Sequence, residues 1–310
     1  MNPPAASALR DLLAALRPAQ WIKNALVLAA LAFAWGDHTL PPQVRTAQNV
    51  LRALLAALVF CAVSSAVYLL NDLADRDADR QHPVKRRRPI AAGRVSARHA
   101  LFLALALLLV AGPTAWLALP PLFSVAIWTY VVLQALYSAW LKHTALVDVM
   151  IIAIGFVLRA VAGAGATGVS FSPWLLMCTF FLALFLAVCK RRHEKVMTQA
   201  ANPNGTQRPS LGQYDLALLD RLAAIAATAT MVVYAMYTLA PETVDKFGTH
   251  AMGLTLPFVV FGLFRYLDLV YRHQKGDQPE KILLTDPPLI VNMGLYAASI
   301  FFIFVFTLEP

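Results

Sequence analysis

The sequence predicts an all-α polytopic membrane protein with nine transmembrane helices, and three observations carry that reading. Of the 310 residues, 59% are hydrophobic and only 14% are charged, where an ordinary soluble domain has roughly 25% charged residues. Mean hydropathy is +0.61. The apolar residues gather into runs long enough to cross a bilayer, which takes about 20 helical residues each. Strand-like alternation is absent, which excludes a transmembrane β-barrel.

The candidate spans are 20–36, 48–70, 99–118, 121–141, 146–168, 173–190, 216–240, 251–272 and 288–307. Within segment 1–19, Leu9, Leu12, Leu13 and Leu16 share one helical face and Arg10 and Arg17 lie off it. That is the pattern of a short interfacial helix; an extension of the first span fits the same residues. The chain reads as a single transmembrane domain, 1–310, in which 71–98 and 190–215 are long polar loops.

Lysine and arginine set the orientation. Alternating nine spans places 22 of the 26 basic residues on one side, among them Arg10, Arg17, Arg76, Arg80, Arg94, Lys142, Arg208 and Lys275. The N-terminus is therefore expected in the cytoplasm and the C-terminus outside the cell (inner) membrane, with both polar loops cytoplasmic. The net charge of +9 clusters beside the spans, so anionic lipid headgroups are the expected partner, not nucleic acid. Exposed helix faces permit a homo-oligomer. Cys61, Cys178 and Cys189 lie inside or at the ends of apolar runs and read as small core residues. The histidines lack paired metal spacing. No P-loop or nucleophile elbow supports ATP-driven transport or hydrolysis.

The strongest chemical signal is Asn71-Asp72-Leu73-Ala74-Asp75-Arg76-Asp77-Ala78-Asp79. Asp72, Asp75 and Asp79 stand at i, i+3 and i+7, one face of a helix continuing from the second span until Pro83 ends it. Like charges on one face are tolerated when a cation sits between them. Carboxylate oxygens suit Mg²⁺, which uses one or two of them together with substrate phosphates. A solvated helix end neutralised by Arg76 and Arg80 is the competing account. Lys85-Arg86-Arg87-Arg88 then follows, as orientation and anionic lipid require; phosphate binding by Lys85 or Arg88 is the second reading. Lys23 stands early in the first span, flanked on the same face by Gln20 and Asn24, and either snorkels or faces substrate. Arg159 lies about 16 Å deeper in the fifth span than Asp148, lining a cavity or meeting a structural partner.

The Asp pattern resembles the first Asp-rich motif of the UbiA superfamily of membrane prenyltransferases. That resemblance implies nine helices around a central cavity, with Mg²⁺ bridging Asp72, Asp75 and Asp79 to a diphosphate. Further segments resemble one branch of the superfamily: 16–24, Tyr137–Lys142 with Asp148 following, Gly155–Gly163, Lys190–Glu194 and 264–266. The second Asp-rich motif usual after the sixth span is replaced here by Lys190-Arg191-Arg192-His193-Glu194, whose basic character suits a further phosphate. The branch implies transfer of a 5-phosphoribosyl group from phosphoribosyl diphosphate to a polyprenyl phosphate of decaprenyl type, feeding lipid-linked sugar for cell-wall arabinan. It also implies catalytic roles for Asp72, Asp75 and Lys142. Substrate contacts are implied for Gln20, Lys23, Asn24, Asn71, Lys85, Arg88, Tyr137, Asp148, Arg159, Lys190, Arg191 and Glu194. A prenyltransferase acting on an aromatic acceptor and a transporter of anionic metabolites are the alternatives. In the phosphoribosyl reading, Asp72→Ala abolishes turnover and leaves a folded membrane protein; unchanged turnover in the folded variant would remove Asp72 from the mechanism.

Overall fold

A computed structural model describes residues 5–81, 84–170, 172–201, 209–273, 276 and 279–307. Pro83, expected to end the Asp-bearing helix, lies outside the described residues, as do Arg208 and Lys275. The chain forms helices α1 (Ala5–Ala15), α2 (Ala29–Ala34), α3 (Ala47–Ala74), α4 (Arg76–Gln81), α5 (Ala97–Ala118), α6 (Pro121–Ala139) and α7 (Val147–Thr167). It continues with α8 (Pro173–Ala201), α9 (Pro209–Gly212), α10 (Leu216–Leu239), α11 (Pro241–Phe247), α12 (Leu256–Tyr271), α13 (Pro279–Thr285) and α14 (Pro287–Thr307). Among the described residues there is no strand. Among the described residues eight helical stretches, α3, α5, α6, α7, α8, α10, α12 with its preceding turn, and α14, are long and apolar enough to cross a membrane.

Local sequence starts these helices. Thr46 caps α3 by accepting from Asn49 N at 3.4 Å, Ser96 caps α5 through His99 N at 3.3 Å, and Asp215 caps α10 through Leu218 N at 2.5 Å. Proline, whose missing N–H costs nothing at a first turn, opens α6, α8, α11, α13 and α14. Hydroxyls within the apolar helices bond back to their own backbone, as Thr129 does to Val125 O and Thr230 to Ala226 O, which satisfies them without water.

The first expected span departs from the α-helical pattern. Residues Pro18–Leu28 form a 3₁₀ helix and only Ala29–Ala34 are α-helical. In a 3₁₀ helix side chains at i and i+3 eclipse. Trp21, Asn24 and Val27 therefore form one row and Gln20 with Lys23 another. Trp21 Nε1 donates to Ser65 Oγ at 2.9 Å, and Lys23 Nζ donates to Gln20 Oε1 at 2.5 Å. Asn24 thus does not flank Lys23 on one face; helix type, which apolar counting does not see, separates them. The expected loop at 190–215 also differs, since α8 carries Lys190–Glu194 as helix on to Ala201.

Where the sequence reads as one domain, contacts cluster into two units, through both of which α7 runs. The first comprises Met1–Leu31, Thr46–Ala139 and Leu158–Val169. Its centre is α3, which touches α1, the 3₁₀ helix, α4, α5 and α6. Phe60, Phe123, Ile127, Tyr130 and Val27 pack there, with the Phe60 and Tyr130 rings 4.9 Å apart. Ala15 at the end of α1 packs with Leu69, Ile90 and Ala100. The second unit comprises Ala32–Arg45, Trp140–Val157 and Ser170–Pro310. Phe185, Leu219, Tyr266 and Leu269 fill one cluster, and Phe247, Met252 and Tyr237 another. Since hydrocarbon is as apolar as these cores, close packing and internal polar bonds hold the helices together more than burial from water does. The outward residues Phe102, Leu109, Leu117, Phe301 and Phe306 are correspondingly exposed.

Gly163 marks a tight approach. A Cβ there would lie 2.0 Å from Val27 O, a backbone atom of the 3₁₀ helix. Gly163→Ala is expected to lower stability by about 1–3 kcal/mol, measured as a fall in the thermal unfolding midpoint of the detergent-solubilised protein; an unchanged midpoint would show that this contact yields easily.

Candidate functional site

In the first unit α3 ends at Ala74. Asp75 leaves helical geometry (φ −91°, ψ 2°), and α4 begins at Arg76. The break is small, because Asp79 N still bonds to Asp75 O at 2.8 Å. Asp72 and Asp79 are consequently both buried, 2% and 3% exposed. Asp75 is half-buried and accepts from Asn71 Nδ2 at 3.3 Å. Asn71 is oriented in turn by Ser138 Oγ, which donates to its Oδ1 at 2.8 Å. Asp77 points outward, and its hydrogen bond to Arg76 holds its carboxyl below the usual carboxylate range.

Two arginines meet the buried carboxylates. Arg88 Nη1 lies 3.0 Å from Asp72 Oδ1 and 2.6 Å from Asp79 Oδ2. Arg17 Nη2 lies 2.5 Å from the same Asp72 Oδ1, and its guanidinium sits 5.2 Å above the Tyr68 ring. Of the three carboxylates expected in one row, Asp72 and Asp79 share Arg88, and Asp75 bonds to Asn71. Among the described residues no three His, Cys, Asp or Glu side chains converge as a metal cage. A single cationic nitrogen nevertheless bridges two buried carboxylates, and these hard oxygen donors suit a divalent cation at that point. Of the basic run, Arg86 and Arg87 are exposed, Lys85 is half-buried, and the 3₁₀ turn Lys85–Arg87 turns Arg88 inward.

Arg159 is 5% exposed. Its Nε donates to Asn24 Oδ1 at 2.9 Å and its Nη2 to Tyr130 OH at 3.1 Å, with the Phe60 and Tyr130 rings 5.4 and 4.9 Å from its carbon. Asn24 Nδ2 donates onward to Ser64 Oγ at 3.0 Å. Asn24 and Arg159 are thus joined in one buried network.

The second unit holds another charged group. Asp148 is fully buried. It accepts from Tyr214 OH at 2.7 Å and Ser210 Oγ at 3.3 Å, and Arg191 Nε lies 2.8 Å from its Oδ2, off the line of a hydrogen bond. Arg191 also pairs with Glu194. Asp148 and Arg191, for both of which the resemblance implies substrate contacts, engage each other. Tyr214 OH also accepts from Leu146 N at 2.6 Å, holding Leu146 in a left-handed conformation (φ 68°) that bulky residues rarely adopt. Burial, and then the bond to Asp148, push the Tyr214 phenol well above its ordinary range, so it stays a neutral donor. Lys142 is buried in the 3₁₀ turn Leu141–His143, and Lys190 and Tyr137 are half-buried in their respective units.

The model of the UbiA prenyltransferase family matches residues 24–285. The chain belongs to that family. The decaprenyl-phosphate phosphoribosyltransferase of Corynebacterium glutamicum is 34% identical over 280 residues, 89% of this chain and 81% of the relative. The enzyme of that name from Mycolicibacterium smegmatis is also 34% identical, over 96% of this chain and 95% of its own. A UbiA homolog from Archaeoglobus fulgidus, solved with DMAPP and Mg²⁺, superposes with a TM-score of 0.68 at 21% identity, covering 95% of this chain and 99% of that one. The fold is the UbiA fold, and with eight apolar helices the chain is an integral membrane protein.

Within this UbiA family member, sequence reading missed Arg17, Ser138, Ser210 and Tyr214. Arg17 stands among basic residues that orientation alone explains. The other three are neutral residues whose part shows only in the polar group that each meets, Asn71 for Ser138 and Asp148 for Ser210 and Tyr214. Tyr214→Phe should cost about 1–3 kcal/mol by taking a donor from buried Asp148. Arg191→Gln should cost more, about 3–5 kcal/mol. Thermal unfolding in detergent checks both, and midpoints equal to wild type would show that this group does not hold the fold.

Proposed function

We propose that this protein transfers the 5-phosphoribosyl group of phosphoribosyl diphosphate to a polyprenyl phosphate of decaprenyl type and releases diphosphate. The observation that carries the reading is the 34% identity to phosphoribosyltransferases of that name over nearly the full length of both chains. A prenyltransferase reading fits α8 less well, because Lys190-Arg191-Arg192-His193-Glu194 stands where prenyl-diphosphate enzymes carry a second Asp-rich motif. Transport of anionic metabolites has no support from these relatives.

In this reading Asp72 and Asp79, with Asp75 beside them, hold Mg²⁺. When bound, the ion supplies Lewis-acid charge to the departing diphosphate. The bond from ribose C1 to the diphosphate oxygen breaks as a new bond from C1 to the acceptor phosphate oxygen forms, and C1 passes through an oxocarbenium-like state by analogy with glycosyl transfer. The acceptor oxygen is already anionic, so no side chain need remove a proton. Lys23, Lys85, Lys142 and Lys190 supply ammonium charge to the phosphates, and Arg88 supplies a guanidinium fork. Gln20, Asn71 and Tyr137 orient their neighbours. Arg191, Glu194 and Asp148 act by positioning, as do Asn24 and Arg159.

The segment 18–34 serves as a ninth crossing, since 11 residues of 3₁₀ helix and six of α-helix extend about 30 Å, the thickness of the hydrocarbon core. With α1 as an interfacial helix and the basic residues inside, the N-terminus is cytoplasmic, the C-terminus outside the inner membrane, and the chemistry at the cytoplasmic face. Purified protein given Mg²⁺, labelled phosphoribosyl diphosphate and decaprenyl phosphate should move label into the lipid phase, and a chelator should stop it. Folded protein that moves none, with polyprenyl phosphates of several lengths, would overturn the assignment.

A further inference from the structure

Arg17 and Arg88 spend their charge on the same carboxylate oxygen, Asp72 Oδ1, and Arg88 reaches Asp79 as well. The two partners in each pair are unequally enclosed. The Asp72 and Asp79 side chains are 3% and 5% exposed, whereas those of Arg17 and Arg88 are 25% and 27% exposed. The carboxylates are fixed on α3 and α4. The arginines come from outside the long helices. Arg17 links α1 to the 3₁₀ helix with a left-handed backbone (φ 55°), and Arg88 follows the 3₁₀ turn Lys85–Arg87. The guanidinium groups can leave without uncovering the core, and the carboxylates cannot.

Charge balance then limits what can be bound. Counted over the groups in direct contact, Asp72 and Asp79 against Arg17 and Arg88, the cluster is neutral. A divalent cation entering beside both arginines would leave two positive charges uncompensated in a partly dry site, where such an excess is expensive. A diphosphate arriving with the cation removes that excess. Its oxygens also match the guanidinium fork, which binds phosphate bidentately.

We infer that Arg17 and Arg88 are exchangeable counterions. Guanidinium contact at Asp72 and Asp79 and divalent-cation binding there exclude one another, so the protein takes up the cation together with a diphosphate that receives the displaced guanidinium groups. The inference rests on the reading of Asp72 and Asp79 as the metal–diphosphate site. It gives Arg17, at the end of the surface helix α1, a part in substrate binding. It also makes the two ligands cooperative, each strengthening the other.

The test measures Mn²⁺ binding to the full-length protein in detergent by electron paramagnetic resonance, with inorganic pyrophosphate as the second ligand. The proteins are wild type, Arg17→Gln, Arg88→Gln and the control Arg76→Gln, whose partner is the exposed Asp77. Without pyrophosphate, Mn²⁺ should bind the Arg17 and Arg88 variants about tenfold more tightly than wild type, and the control should match wild type. Pyrophosphate should then strengthen Mn²⁺ binding more in wild type than in either variant. Arg17 makes one of these contacts and Arg88 two, so Arg17→Gln decides the matter if Arg88→Gln does not fold. Mn²⁺ affinity in folded Arg17→Gln that equals or falls below wild type would overturn the inference, as would an equal gain in the control. Loss of phosphoribosyl transfer activity in wild type with the Mn²⁺ pattern intact would sink the assigned reaction and leave the exchange standing.

Discussion

Charge buried among apolar helices must be met from within the protein, and this constraint organises the structure. Hydrocarbon offers no solvent to an ion, and even a well-made buried pair recovers its desolvation cost only when its remaining polar atoms are also bonded. The chain answers in three ways. Asp148 receives an arginine, a phenol and a hydroxyl. Arg159 receives a side-chain amide oxygen, a phenol oxygen and two ring faces, so part of its charge is met by aromatic quadrupoles. Asp72 and Asp79 receive two arginines. The tyrosine hydroxyls extend the same economy, since Tyr234 OH meets Thr255 Oγ1 at 2.6 Å and Tyr296 OH at 3.1 Å inside the second unit.

The 3₁₀ helix at Pro18–Leu28 follows from the same constraint. Its three-residue period sets Trp21, Asn24 and Val27 in one row, and each finds a different partner along its length. Trp21 meets Ser65, Asn24 meets Ser64 and Arg159, and Val27 lies against Gly163. An α-helix would rotate these positions by about 300° per three residues, spreading the row around the axis and leaving Arg159 without the amide oxygen it uses. Gly163 is the complementary concession, because only a residue without a Cβ lets that backbone come so close. Gly168 then ends α7 in a left-handed conformation (φ 70°), with Val169 N bonded back to Ala164 O at 3.2 Å, the Schellman arrangement.

Most of the fold was legible because an apolar run of about 20 residues has few other uses. The runs at 48–70, 121–141, 146–168 and 288–307 correspond to α3, α6, α7 and α14 within a few residues. The first run was legible as apolar but not as 3₁₀, since a hydropathy count is blind to helix type. Lys190–Glu194 read as loop because polarity rose there, although Lys, Arg and Glu are good helix formers and α8 runs on. Of the charged residues that the structure pairs, Asp72, Asp79, Arg88, Asp148, Arg159 and Arg191 were all visible, because each stands out against an apolar background. Their pairing was not. Arg17 and Asp72 are 55 residues apart in sequence and Arg159 and Asn24 are 135 apart, and no local pattern specifies contacts at such separations.

Exposure distinguishes the Arg191–Asp148 pair from the pairs at Asp72 and Asp79. Where both partners are enclosed, as in Arg191 with Asp148 at 3% and 0%, neither can leave without stranding the other in low dielectric, and the pair behaves as part of the scaffold. At Asp72 and Asp79 the enclosed carboxylates meet arginines that reach in from a more open position, and in the proposed reading the carboxylates define the cation site and the arginines are its provisional occupants. The chain could have neutralised Asp72 and Asp79 with residues buried as deeply as Arg191, and the fold would have been held more firmly. It would then have offered no place for an incoming cation. In the proposed reading the partial exposure of these two arginines is a weakness for stability and a requirement for binding, and it sets their cluster apart from the enclosed Arg191–Asp148 pair.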